Sequence, residues 1–413
     1  MSSRDACYQT GLRPYLDAKQ DMLRQLDTLV KSELVSLDKL LNRVLADDIR
    51  SPIDVPSFTN SAMDGYAFSG EGVEANAHLT LIGKSLAGQP FSGRVNAGEC
   101  VRIMTGAALP LGTDTVMMQE KCRVQDNQVQ LEGEFTLGQN VRYPAEDLAQ
   151  GQRVFPTGTR VSARVLSVLS SLGLTELYVY RPLKVALLST GDELRSPGEI
   201  LRPGDIYDSN RIGLHAMLER LGCTVIDYGI IKDDPELIKE AFLKAADEAD
   251  AIVTSGGVSV GDADYTKKIL EEVGEIGFWK LAIKPGKPFA FGHIEQCPFF
   301  GLPGNPVSAA VTFHLLVRPA LAKLSGEILA KTPILQAKAL MPFKKSPGRM
   351  DFQRGVVITQ ADGSLGVMAT GSQSSGVFSA LAEANCLLRL EAERGNVEQG
   401  ELVSLELIDG LYW

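Results

Sequence analysis

Five short segments of the chain combine glycine, charge or both in a way that suits an anionic ligand. They are Thr190-Gly191-Asp192-Glu193, Lys232-Asp233-Asp234, Ser255 to Asp264, Lys284-Pro285-Gly286-Lys287-Pro288 and Gly301-Leu302-Pro303-Gly304-Asn305-Pro306. In Ser255-Gly256-Gly257 the missing Cβ atoms leave backbone N–H groups open to a phosphate. The plainer reading is a tight turn chosen for shape. Lys280, Lys284 and Lys287 lie in a stretch, Ile276 to Ile294, that holds no acidic residue. That local positive field suits phosphate or another oxyanion; for Lys280 alone a solvated surface lysine explains as much. Glu193, Asp233 and Asp264 are hard oxygen donors of the kind that hold Mg²⁺ beside substrate phosphates. Asp234 reads instead as a helix cap.

Two further segments are dense in hydrogen-bonding side chains. Pro56 to Ala67 (PSFTNSAMDGYA) has neither helix nor strand periodicity, and Arg102-Ile-Met-Thr105-Gly106 reads as a strand followed by a Thr-Gly turn. Either is a packed loop or a site loop. Other chemistries lack their residues. Gly83-Lys84-Ser85 resembles the end of a Walker loop, but His78 stands where that loop needs glycine. The four histidines form no metal or triad spacing.

The elements that must position these residues follow from pattern. From Arg181 to about Leu324 strands and helices alternate. Val185-Ala-Leu-Leu-Ser is apolar throughout, as in a strand covered on both faces. Ser209–Leu221 reads as a helix closed by Gly222. Thr224–Ile231 reads as a strand, and Asp234 with Pro235 opens the next helix. Ala251–Thr254 and Ile276–Ile283 are predicted strands, with Tyr265–Val273 a helix between them. Phe299–Leu302 leads to a helix capped by Asn305 with Pro306 at its first turn. This alternation predicts an α/β fold with a doubly wound, mainly parallel sheet. The five segments above then follow strand ends on one edge, where such sheets bind ligands.

Outside that region, Leu12, Leu16, Lys19, Leu23, Leu26 and Val30 predict one amphipathic helix. Ser36 as N-cap, with Leu37, Leu40, Leu41, Val44 and Leu45, predicts a second. Short apolar runs cut by Gly, Pro and Asn predict a β-rich unit from Ser51 to Tyr180, interrupted by a helix from Val161 to Leu172 that Gly173 ends. Alternating texture from about Thr332 to Trp413 predicts a C-terminal β domain.

The 413 residues are 44% hydrophobic and 22% charged, which implies a multidomain globular chain. A formal charge of −10 disfavours nucleic acid but not a small anion in a locally positive pocket. The six cysteines form no CxxC pair and read as free thiols of a reducing compartment. No apolar run reaches the length of a membrane span and the start lacks a signal core. A cytoplasmic protein without membrane contact is expected.

Seven motifs, in order along nearly the whole chain, resemble the molybdopterin molybdenumtransferases, the insertases of molybdenum-cofactor synthesis related to the E domain of gephyrin. They are Asn60-Ser-Ala-Met-Asp-Gly-Tyr-Ala67, Ile103-Met-Thr-Gly-Ala107, Ser189-Thr-Gly-Asp-Glu-Leu194, Ile206-Tyr-Asp-Ser-Asn210, Ser255 to Asp264, Ile283-Lys-Pro-Gly-Lys-Pro288 and Gly301-Leu-Pro-Gly-Asn-Pro-Val-Ser308.

The resemblance implies an elongated homodimer with a cleft shared between chains, and four subdomains. These are 6–31 with 181–330 (molybdopterin-binding α/β), 32–50 with 150–180 (linking), 51–149 (β-rich) and 331–413 (C-terminal β). It implies a reaction of adenylylated molybdopterin with molybdate and Mg²⁺ that releases AMP. Asp64, Thr105, Asp147, Glu193, Asp233 and Asp264 are the catalytic positions it marks, with Glu193, Asp233 and Asp264 on the metal. Ser255, Gly256, Gly257, Lys280, Lys284, Lys287, Pro303, Pro306, Arg349 and Ser375 (or Ser374) are its substrate-binding positions. Two departures stand out. Thr59 replaces a common Asp, and Ala145 replaces the usual Gly before Glu146-Asp147. Two other readings accompany the insertase: the preceding adenylylation of molybdopterin, and a non-catalytic scaffold like the gephyrin E domain. Other cofactor-synthesis proteins and molybdoenzymes are conceivable partners.

Overall fold

The computed structural model describes residues 11–257, 265–329 and 332–408. The chain forms two compact units. One takes in the described parts of Met1–Ala46, Gly158–Ala163 and Glu176–Trp413, the other Asp47–Thr157 and Arg164–Thr175.

The first unit is built on a six-stranded sheet in the order Thr224–Ile231, Lys184–Thr190, Ala251–Ser255, Cys297–Leu302, Pro288–Ile294, Gly274–Lys280. The first four strands run parallel. Pro288–Ile294 opposes both of its neighbours, so one strand in six runs against the rest. The Lys184–Thr190 strand is buried on both faces because alternate residues serve different cores. Val185 and Leu187 join Leu214, Leu218 and Val307 on one side. Ala186 and Leu188 join Ile238, Phe242 and Ala245 on the other. Helices on both faces make the sheet doubly wound and mainly parallel, as its alternating pattern predicts.

Helix starts follow their local chemistry. Asp234 accepts hydrogen bonds from the Glu236 and Leu237 N–H groups, and Pro235 occupies the first turn, where its missing N–H costs nothing. Asp208 caps Ser209–Arg220 by accepting from Arg211 N. The Tyr265–Val273 helix has its predicted bounds.

Several expectations are corrected. The second predicted helix is absent: Leu37–Lys39 is a single 3₁₀ turn and Val44–Leu45 a short strand. Asn42, at φ +65°, breaks the helical path between them. The first helix spans only Tyr15–Arg24, and its buried face is Tyr15, Ala18 and Met22, while Leu16 is 55% exposed. The predicted Ile276–Ile283 strand stops at Lys280, and Ile283–Lys284 leaves to pair in parallel with Met350–Asp351. Pro288–Ile294, unpredicted, completes the sheet.

The C-terminal part of this unit is a strongly closed β structure. Met350–Thr359 pairs with Leu365–Ala369 on one side and with Cys386–Leu390 on the other. Ile334–Ala339 and Leu402–Leu407 complete the circuit. Among the described residues one helical stretch, Pro306–Leu324, is long and apolar enough to cross a membrane, but 89% of its apolar window is buried inside the protein. It is a core helix of this unit.

The second unit centres on another six-stranded sheet, in the order Thr115–Met118, Gly65–Phe68, Glu99–Ile103, His78–Ser85, Gln128–Leu131, Cys122–Gln125. Phe68, Leu79, Cys100, Met117, Val129 and Leu131 fill its core. The described cysteines are free. Burial pushes the thiols of Cys100, Cys223, Cys297 and Cys386 up to about 12, so none is a nucleophile at neutral pH.

Candidate active site

The carboxyl ends of the parallel strands converge on one cavity of about 630 Å³ in the first unit. Thr190, Gly191 and Glu193 come from the first strand end, Asp233 from the second, and Ser255, Gly256 and Gly257 from the third. Pro303, Gly304, Asn305 and Pro306 come from the fourth, with Pro288 beside them. Residues from five sequence segments thus meet as the edge argument requires.

The Gly256-Gly257 turn is shaped by close approach. Gly256 sits at φ +91°, and its N–H donates to the Leu302 carbonyl at 3.1 Å. A Cβ on it would lie 2.8 Å from the Thr190 carbonyl oxygen. Gly257 sits at φ +67°, and a Cβ there would lie 2.6 Å from Thr266 Cγ2. Both positions require glycine. Asn210 ties two of the turns together: its Nδ2 donates to Ser255 Oγ at 2.8 Å and to the Gly304 carbonyl at 2.7 Å. Asn210 ends the Ile206–Asn210 motif and is a site residue that the sequence alone does not mark. Its place at the start of a helix facing strand ends was the available signal.

Glu193 folds back over Gly191, where an added Cβ would meet its carboxylate at 2.7 Å. Asp233 donates its backbone N–H to Asp192 Oδ1 at 3.3 Å. Glu193 and Asp233 are both exposed to the cavity side and line it. Among the described residues no group of three or more His, Cys, Asp or Glu side chains is arranged to enclose a metal. Two carboxylates lining one cavity instead fit an ion held by one or two protein oxygens plus ligand phosphates, the usual habit of Mg²⁺. Asp264 lies outside the described residues.

The lysines stand apart from this cavity. Lys280, Lys284 and Lys287 are exposed, and none lines it. Lys284 Nζ lies 3.4 Å from Asp351 Oδ2. Arg349 is half-buried near the start of the Met350–Thr359 strand. Ser375 approaches the α/β part through its backbone: its carbonyl accepts from Val307 N at 3.3 Å, one residue past Pro306.

In the second unit the structure brings Asp64 and Thr105 together. Asp64 Oδ1 accepts from Thr105 N and from Thr105 Oγ1, both at 2.8 Å. These two hydrogen bonds, backbone first, hold the Asp64 carboxyl below its ordinary value, so it is ionised through the neutral range. Asp147 follows Val141–Arg142, which pairs with Asn60–Ser61, and its N–H donates to the Val55 carbonyl at 2.9 Å.

Ala145, two residues before Asp147, adopts φ +64°, the left-handed region in which its Cβ is strained. The strain costs about 1–2 kcal/mol, more than the roughly 0.4–1 kcal/mol of unfolded-state entropy that glycine would add. Ala145→Gly is therefore expected to stabilise the chain by about 1 kcal/mol, read as a higher urea midpoint. An unchanged or lower midpoint would refute the argument.

An α/β unit with a glycine-turned, carboxylate-lined cavity at its strand ends has the architecture of the doubly wound proteins that take their ligands at that edge. A family model described as the MoeA N-terminal region (domain I and II) matches residues 13–173. One described as a probable molybdopterin binding domain matches 186–323, and one for the MoeA C-terminal region (domain IV) matches 336–408. The molybdopterin molybdenumtransferase of Haemophilus influenzae is 47% identical over 94% of this chain and 97% of its own. Gephyrin of Dictyostelium discoideum is 32% identical over 96% of this chain and 62% of its own. A solved structure of the molybdopterin biosynthesis MoeA protein of Pyrococcus horikoshii superimposes with a TM-score of 0.82 at 29% identity, covering 96% of this chain and all of that one. The chain belongs to the MoeA family of molybdopterin molybdenumtransferases.

Proposed function

We propose that this chain inserts molybdenum from molybdate into adenylylated molybdopterin, releasing AMP, as a step of molybdenum-cofactor synthesis. The observation that carries this reading is the strand-end cavity, which the Gly256-Gly257 turn lines together with Glu193 and Asp233. The Gly256 N–H is taken by the Leu302 carbonyl, so the phosphate of the adenylate meets the turn at Gly257, where no Cβ bars its approach. Asn210 holds that turn in register with the Gly304 turn, so the ligand meets a fixed wall. Glu193 and Asp233, with Asp264, would hold Mg²⁺, which when bound supplies neutralisation of phosphate charge. Asp64, ionised and fixed by Thr105, acts as a charged positioning group rather than a proton donor. Asp147 belongs to the same set. Lys280, Lys284, Lys287, Arg349 and Ser375 would receive molybdate. The working form we take to be a cytoplasmic homodimer whose cleft is shared between chains, each chain divided into the four subdomains outlined from the sequence.

The purified protein mixed with adenylylated molybdopterin, molybdate and Mg²⁺ is expected to release AMP and to yield cofactor that activates an apo-molybdoenzyme. Asp64→Ala and Glu193→Ala are each expected to lower that rate by roughly 10²–10³-fold, the usual loss for a charge-stabilising group. Wild-type rates in both variants would refute their roles. Failure of the wild type to release AMP would refute the reaction. AMP-forming activity from ATP and free molybdopterin would favour the adenylylation step instead.

A further inference from the structure

We propose that a second cavity, remote from the strand-end edge, binds a small amphiphilic anion: one acid group carried on an apolar body. This cavity of about 500 Å³ lies in the first unit, between the Tyr15–Arg24 helix, the middle of the Pro306–Leu324 helix and the C-terminal β structure. Its volume falls in the range of about 300–1,000 Å³ typical of sites for small organic ligands. A bare tetrahedral oxyanion would fill only a small part of it.

The wall carries four cationic side chains, Lys19, Arg318, Lys323 and Arg389, against two carboxylates, Glu327 and Glu406. Glu327 is taken up from outside the cavity. Arg160 grips it in a two-pronged pair, with Nε at 2.9 Å and Nη2 at 2.6 Å. Glu406 accepts from Arg389 Nη1 at 3.0 Å and lies 3.6 Å from His314 Nε2. Among the described residues the cavity wall therefore has a surplus of positive charge, in a chain whose formal charge is −10. Lys19 shows the consequence. Its ammonium donates to Tyr15 Oη at 3.4 Å rather than to a carboxylate. Burial lowers its proton affinity, Glu406 partly restores it, and the neighbouring Arg389 and Arg318 lower it further. A ligand acid group beside Lys19 would relieve that repulsion. Leu16, Leu23, Leu315 and Pro319 supply an apolar wall for the remainder of the ligand.

The backbone is also specialised here. Phe313–Val317 is a π-helical turn inside the long helix, a feature concentrated at functional sites. Pro319 has no N–H for the Leu315 carbonyl four residues earlier, and Tyr15 Oη donates to that carbonyl at 3.5 Å. The widened turn sets His314 and Leu315 on the cavity wall.

Anilinonaphthalene sulfonate, an aromatic ring system with one sulfonate, is a direct probe. Its fluorescence on titration into the full-length chain is expected to saturate at one site. Lys19→Glu should weaken that binding at least tenfold, whereas Lys121→Glu, the same charge change on the other unit, should leave it unchanged. Phenylnaphthylamine, which lacks the sulfonate, should bind at least tenfold more weakly than the sulfonate. Lys19 is half-buried on a helix surface, so Lys19→Glu is expected to keep the wild-type circular dichroism. Absence of saturable binding, equal affinity in Lys19→Glu, or equal affinity for the neutral probe would each overturn the proposal. None of these outcomes depends on the transferase reaction.

Discussion

Gly257→Ala is expected to lower the kcat/KM for AMP release by about a hundredfold while leaving the C-terminal β structure folded. Gly257 has φ +67°, so the alanine methyl alone adds strain of about 1–2 kcal/mol. The methyl would also sit 2.6–2.7 Å from three atoms of the Thr266 side chain. Thr266 is 1% exposed, so that side chain has little room to retreat. The turn must therefore move toward the cavity, against Gly256, whose N–H is fixed to Leu302 O at 3.1 Å. A displacement on the order of 1 Å at the turn we propose to orient the ligand costs about 10² in rate. Gly213→Ala makes the same chemical change in the middle of the Ser209–Arg220 helix, where nothing lies within 4 Å of the added atom. That variant should retain activity and gain a little stability. Steady-state kinetics on the two variants check the argument, and equal activities would refute it.

The contrast between these glycines explains which parts of the fold were legible in the sequence. The βα alternation was readable because its signals are local. Asp234-Pro235 opens a helix, and Val185 to Leu188 is apolar without a break whatever the rest of the chain does. The signals that misled were also local, but distant contacts outweighed them. The leucines from Leu37 to Leu45 have helical spacing, yet Asn42 at positive φ and the pairing of Val44 with Tyr180 send the segment into a sheet. Leu16 fits an amphipathic stripe, yet Tyr15 is the buried residue. Its ring meets Phe352 edge-on at 5.8 Å, a partner more than three hundred positions away.

The site divides the same way. That the glycine turns share one edge follows from strand order, which the pattern implies. That Gly256 needs to be glycine depends on Thr190, and that Gly257 does depends on Thr266, which no spacing rule reveals. The lysine-rich stretch was legible as composition but not as geometry. Ile283–Lys284 joins the C-terminal strand at Met350–Asp351, and this sets Lys284 beside Asp351 rather than on the cavity wall. Asp64 and Thr105 were visible as separate motifs, while their hydrogen-bonded pairing spans 41 residues.

The same long-range logic gives the largest expected loss of stability, in Arg354→Met. Arg354 is 1% exposed, on the Met350–Thr359 strand. Its Nη2 donates to the carbonyls of Ser372 at 2.9 Å and Ser374 at 3.0 Å, and its Nη1 to that of Gln373 at 3.4 Å. Burial lowers the proton affinity of this guanidinium and Asp351 partly restores it. Methionine keeps much of the apolar stem but strands three carbonyls. Hydrogen bonds to a charged group contribute roughly 1.5–3 kcal/mol each, and release of a buried cation offsets part of that. A net loss of about 3 kcal/mol is expected in urea unfolding. The backbone of residue 354 would still exchange hydrogen bonds with the Gln373 side chain, at 2.9 and 3.0 Å, so the segment should loosen rather than detach. Faster amide exchange should therefore be confined to Ser372–Val377. Ser375 is in that segment, and its carbonyl accepts from Val307 N at the start of the helix whose Pro306 lines the strand-end cavity. Activity should fall about tenfold with the loosening, at substrate concentrations below KM. A stability change under 1 kcal/mol would mean that the guanidinium's burial cost cancels its three hydrogen bonds.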